Sequence, residues 1–141
     1  MTSILIEKDM DYPVEKVWAI LGDFGNLSWV EGPERIEVIG DGVGMTRRVH
    51  MAGIDPINEV LETMDEPNLS FSYSIPNMPM PVTDYLASVK VEGQGESSTK
   101  IYWSCTCTPT DSNMVEADVE AMLTDTYQQL LGWLDAHLAK Q

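Results

Sequence analysis

The chain has 141 residues, 43% hydrophobic and 8% aromatic, with 23 acidic side chains against 8 basic ones and a formal net charge of −15. That size and composition suit one globular domain with a single core, spanning residues 1–141. No apolar run reaches the roughly eighteen residues that suggest a membrane span, and the charge opposes binding to nucleic acid or anionic membranes, both polyanions.

The first nine residues, Met1–Asp9, carry charge where a signal peptide needs an apolar stretch. Residues 3–10 alternate weakly and predict a first strand. Pro13 suits the first position of a helix, and Val14, Val17, Trp18 and Leu21 follow at helical spacing, which predicts a helix over 13–22. Gly22, Gly25 and Gly32-Pro33 break the next stretch, with a second short helix expected around Leu27, Trp29 and Val30.

A long β region follows. Segments 35–39 and 45–51 flank a glycine-rich hairpin connection, and 57–64 and 69–75 flank the turn Asp65-Glu66-Pro67-Asn68. Phe71, Tyr73 and Ile75 alternate with serines, the cleanest two-residue period in the chain. Segment 82–91 aligns Tyr85, Ala87, Val89 and Val91 on one face; segment 99–108 aligns Ile101, Trp103, Cys105 and Cys107. The Cys105/Cys107 spacing suits a disulfide poorly, so a reduced cytoplasmic protein is expected. Asn113 with Glu116 resembles a capping box. From there a helix of about 25 residues is expected, with an apolar stripe of Val115, Val119, Met122, Leu123, Leu130, Trp133, Leu134 and Leu138.

The expected fold is therefore α+β, in the order β-α-α-β6-α: a seven-stranded curved antiparallel sheet wrapped around a long C-terminal helix, a helix-grip fold. A single helix is about 10 Å wide, narrower than such a sheet, so space beside it is expected to form a lined cavity.

Several strings carry a resemblance across nearly the whole chain: Pro13–Trp18, Asp23–Trp29, Gly42–Arg48, Leu69–Tyr73, Pro81–Tyr85 and Tyr102–Ser104. Together with the element order they resemble the polyketide cyclase/dehydrase branch of the SRPBCC superfamily, which also holds START lipid-transfer domains and the major birch pollen allergen. The resemblance implies a cavity for a small hydrophobic ligand, whether lipid, polyketide, isoprenoid or aromatic. Some members cyclise or dehydrate it and others only carry or sense it, so fold alone does not choose between them.

Parity marks the candidate site residues. Arg47 lies in phase with Val49 and Met51, and Glu59 with Ile57 and Leu61, so both charges are expected inward and paired, since neither is desolvated alone without heavy cost. The functional version makes Glu59 a general base and Arg47 its orienting partner, with Tyr85 as a further catalytic candidate; the plain version is a structural ion pair. Tyr73, Tyr85 and Trp103 are expected to form one wall, as ligand contacts or as core packing. The resemblance implies that the proline-rich segment Pro76–Pro81, with Met80, borders the cavity mouth, with Trp29 closing its opposite side; the plain version is a rigid surface turn. Met122 is placed on the helix side of the cavity. His50 is expected outward, and His137 suits a helix C-terminus. No zinc constellation, nucleophile elbow or phosphate loop is present, and no cofactor is expected.

The expected partner is a small hydrophobic ligand, with no nucleic acid and no membrane insertion; the chain is expected as a monomer or homodimer. Three readings stand: a binder performing acid–base cyclisation, dehydration or elimination, a non-catalytic carrier or sensor, and an interaction module like chaperone activators of this fold.

Overall fold

A computed structural model describes residues 2–110 and 116–140. The chain runs β1 (Thr2–Met10), α1 (Val14–Leu21), β2 (Arg35–Ile39), β3 (Thr46–His50), β4 (Ile57–Asp65), β5 (Ser70–Ser74), β6 (Val82–Gly93), β7 (Thr99–Pro109) and α2 (Glu116–Ala139). All seven strands join one antiparallel sheet in the order β1-β7-β6-β5-β4-β3-β2. The helix-grip architecture expected from the alternation is present. The proposed cap Asn113 and the stripe residue Val115 lie outside the described residues.

Pro13 is the N-cap of α1, one position earlier than its spacing suggested, and Gly22 closes the helix with an N–H bond to the Trp18 carbonyl at 2.7 Å. A Cβ on Gly22 would lie 2.5 Å from the Trp18 ring, so glycine is what lets that indole fold back over the helix end. From there the indole N–H donates to Glu66 Oε2 at 2.9 Å.

The second short helix expected near Trp29 is absent: among the described residues, 22–33 form turns. Asn26 explains the difference. Its side-chain oxygen accepts from the Ser28 N–H at 3.0 Å and its carbonyl accepts from the Trp29 indole at 3.2 Å. Short polar side chains that bond their own backbone compete with helical bonding, and Gly25 and Gly32 leave little length between them.

Two bulges re-aim the sheet. In β6 the register shifts between Thr83 and Leu86, with Asp84 at φ 55°, so Val82 and Tyr85 both face inward although three positions apart. In β4 the shift lies between Leu61 and Thr63. The concave face buries Leu61, Phe71, Tyr73, Ala87, Val89, Ile101, Trp103 and Cys105. Against it α2 presents Val119, Leu123, Tyr127, Leu131, Leu134 and Leu138, all buried.

The helix is off-centre. It packs along β1 and β7, so the concave face of β3–β5 is left for the 27–33 turns and a cavity to cover. This offset positions the site.

Candidate functional site

The cavity has a volume of about 240 Å³. Its sheet wall is built by inward residues of β3, β4, β5 and β7: Arg47 and Val49, Ile57 and Glu59, Tyr73, and Trp103. The facing wall is one flank of α2, with Thr126, Gln129, Leu130 and Trp133 at i, i+3, i+4 and i+7. Leu27, Trp29, Val30, Glu31 and Pro33 close a third side. Four aromatic side chains thus border a space whose polar groups are few.

Arg47 and Glu59 face each other across the β3–β4 ladder, and Arg47 Nε donates to Glu59 Oε1 at 2.6 Å. The parity of the two strands is what brings them together. Arg47 is 5% exposed, its Nη1 donates to the Phe24 carbonyl at 2.9 Å, and its guanidinium lies over the Phe24 ring at 4.0 Å and the Tyr73 ring at 5.1 Å. A buried cation held by a carboxylate, a carbonyl and two ring faces has one orientation.

Behind the Tyr73 wall lies a sealed cluster of hydroxyls. Tyr85 and Tyr127 hydrogen-bond to each other through their hydroxyls, and the Tyr127 ring stacks on Trp103 with centroids 5.6 Å apart. The Trp103 indole N–H is sealed and has no hydrogen-bond partner. It lies near enough to the Tyr73 hydroxyl to favour its ionised form slightly, without reaching hydrogen-bond geometry. Burial dominates and raises the Tyr73 pKa, with the Glu59 charge adding and the Arg47 charge opposing. Burial likewise raises Tyr85 and Tyr127 and pushes the Cys105 thiol up to about 11.

These groups fold in their protonated forms. Their folded pKa values lie above the unfolded ones, so the stability they contribute is complete at neutral pH. It begins to fall as pH passes the unfolded values, about 8.5 for cysteine and about 10 for tyrosine, and goes on falling as pH rises through the higher folded ones. The expected result is alkaline unfolding above roughly pH 10, with near-UV circular dichroism lost together with tyrosinate absorbance rising. Complete tyrosinate formation in a still-folded protein would contradict this burial.

Of the residues marked in the sequence, Arg47, Glu59, Trp29, Tyr73 and Trp103 line the cavity together. Tyr85, Met80 and Met122 are not among the described residues that line it. Tyr85 is drawn away by its bond to Tyr127. Met80 is half-buried against the core, and Met122 shares the flank of Thr126 and Gln129 but lies one turn further toward the start of α2, beyond the lining, its carbonyl accepting from Thr126 Oγ1 at 2.9 Å. The Pro76–Pro81 segment does not form the mouth. It clamps the start of β4 instead: Asn77 accepts from the Asn58 N–H at 3.0 Å and donates to the Pro56 carbonyl at 2.8 Å. His50 faces outward as parity implies, but is half-buried with its Nε2 3.1 Å from Glu37 Oε1.

Sequence reading missed Thr126 and Gln129 as cavity residues, and took Leu130 and Trp133 only as core. The available signal was that Leu130 and Trp133 fall beside, not on, the Leu123–Tyr127–Leu131 line.

Among the described residues no three potential metal-binding side chains cluster, and no helix is long and apolar enough to cross a membrane.

Comparison with known proteins gives three results. The model of a family described as polyketide cyclase / dehydrase and lipid transport matches residues 1–139. No curated protein matches the sequence. Among solved structures, an uncharacterized Bacillus thuringiensis protein is 24% identical with a TM-score of 0.87, over 98% of this chain and 99% of that one. The Bacillus cereus protein XoxI is 25% identical with a TM-score of 0.86, over 99% and 96%. Norcoclaurine synthase from Thalictrum flavum, solved with dopamine and hydroxybenzaldehyde, is 16% identical with a TM-score of 0.77, over 99% and 87%. At these identities the likeness is one of fold.

Proposed function

The chain belongs to the polyketide cyclase / dehydrase and lipid transport family, and from that membership we propose that it binds a small, flat, largely apolar molecule in the cavity between α2 and β3–β5. The observation that carries the reading is the composition of the walls: Trp29, Tyr73, Trp103 and Trp133 around a space whose far side holds one buried ion pair. Ligand sites are apolar hollows with a few placed polar groups, usually of about 300–1,000 Å³. At about 240 Å³ this one suits a molecule of a single ring or a short branched chain.

Native mass spectrometry of the purified protein, with extraction of what it carries, tests this directly. Trp133→Ala removes an aromatic wall worth roughly 1.5–3 kcal/mol when fully covered, so retention of that molecule is expected to weaken about ten-fold or more. Empty protein that also ignores a panel of single-ring compounds would sink the reading.

A second reading, acid–base turnover of the bound molecule, is favoured by one detail. Glu59 bonds Arg47 through Oε1, and Oε2 makes no hydrogen bond to a described residue. That oxygen is the proton acceptor in such a reaction, with Arg47 holding the carboxylate in place. Tyr85 has no part in it, since its hydroxyl is committed to Tyr127. In Glu59→Gln, ligand that still binds is expected to go unconverted. Turnover that persists in this variant leaves the carrier or sensor reading. A collapsed interior with an exposed apolar patch would favour the interaction-module reading, and the cavity speaks against it.

A further inference from the structure

We propose that the Arg47–Glu59 pair selects the ligand's polar group. It takes an uncharged one with a hydrogen-bond acceptor beside a donor, such as a primary amide, an undissociated carboxylic acid or an enolised ketone, over carboxylates and ammonium groups. The inference rests on the ligand-binding reading above and adds the chemistry of what is bound.

The pair offers the cavity two free polar atoms. Arg47 uses Nε on Glu59 Oε1 and Nη1 on the Phe24 carbonyl, which leaves Nη2 uncommitted; Glu59 keeps Oε2. Among the described residues the sealed side-chain atoms without a partner are Thr2 Oγ1 and Trp103 Nε1. Nη2 and Oε2 are not sealed, and both residues line the cavity. The open space therefore meets a donor beside an acceptor. The rings of Phe24 and Tyr73 fix the guanidinium plane, so the donor direction is set before a ligand arrives.

Charge decides what that face accepts. Arginine alone in an apolar cavity would select anions, but here Glu59 cancels it at 2.6 Å. An entering carboxylate loses its hydration and meets a neutral pair whose nearer oxygen repels it; an ammonium meets the guanidinium in the same way, and the carboxylate of Glu31, also on the lining, is exposed to water that screens it. A neutral amide accepts from Nη2 and donates to Oε2 without bringing charge into the site. A plain hydrocarbon leaves both atoms unpaired once water is displaced, which sites built for hydrogen bonding penalise strongly.

The test is calorimetric titration of the intact protein at neutral pH with four compounds of nearly equal size: benzamide, benzoate, benzylamine and toluene. Benzamide is expected to bind at least roughly ten-fold tighter than each of the others. In Glu59→Gln the Arg47 charge is uncompensated, and the preference is expected to swing about ten-fold or more toward benzoate. The wild-type ranking decides the matter even if a variant fails to fold. Benzoate, benzylamine or toluene binding as well as benzamide overturns the inference and leaves the cavity a binding site. Binding of none of the four overturns the ligand-binding reading, and this inference with it.

Discussion

Glu59→Leu is expected to cost about 3–5 kcal/mol of folding stability, the range for removing one partner of a buried ion pair. The cause is what remains. Arg47 is 5% exposed, boxed in by Phe24 and Tyr73, and its other hydrogen bond goes to a carbonyl. Arginine does not shed its proton to escape a buried site, so the folded state would carry an unpaired cation. Arg47→Met should cost less, because the Glu59 side chain is 16% exposed and water in the cavity can solvate it. The double variant is expected to recover most of the loss, since replacing both charges with apolar groups is often neutral. Urea denaturation of the three variants measures this. A loss under about 1 kcal/mol for Glu59→Leu, the size of an exposed pair, would refute the burial that the site depends on.

Tyr127→Ala is expected to cost a similar amount, about 3–5 kcal/mol, by emptying the space between α2 and the sheet. The side chain is 1% exposed, stacks on Trp103 and bonds Tyr85. Tyr127→Phe separates packing from hydrogen bonding. It keeps the ring and strands the Tyr85 hydroxyl in the core, at about 1–3 kcal/mol for an unsatisfied buried group. Adding Tyr85→Phe removes the stranded partner, so the double variant should be more stable than the two single losses predict. Additive losses in that cycle would show that the two hydroxyls do not depend on each other. With marginal native stabilities of about 5–15 kcal/mol, Tyr127→Ala alone could leave little folded protein at body temperature.

The sheet was legible because alternation is enforced wherever one face is buried. Phe71 and Tyr73 among serines, and Ile101, Trp103, Cys105 and Cys107, admit one register each. The same parity led to Arg47 opposite Glu59. What stayed illegible depended on geometry without a period. Turns braced by two hydrogen bonds to Asn26 look, in sequence, like a short helix interrupted by glycine. Tyr85 has the parity of a wall residue, and only the position of Tyr127 across the core turns its hydroxyl from the cavity. The Pro76–Pro81 segment has the stiffness of a gate but spends its one amide, Asn77, on bracing β4. Thr126 and Gln129 carry no apolar signal; they face the cavity because α2 lies toward β1 and β7.

That offset has a dynamic consequence. From β2 to β7 each strand pairs with its neighbour in sequence, and only the β1–β7 seam joins distant parts of the chain. Bringing Met10 beside Thr99 closes a loop of about ninety residues, at an entropic cost of about 4 kcal/mol. The seam is fastened beyond the ladder as well, Thr99 Oγ1 donating to the Tyr12 carbonyl at 2.6 Å, and Lys16 Nζ of α1 ties to the Leu138 carbonyl of α2 at 3.3 Å. Since α2 rests on this seam while its flank walls the cavity, an excursion that parts β1 from β7 is expected to loosen that wall too. If the cavity holds the molecule proposed above, the lifetime of that complex would be bounded by how often the two ends of the chain let go of each other.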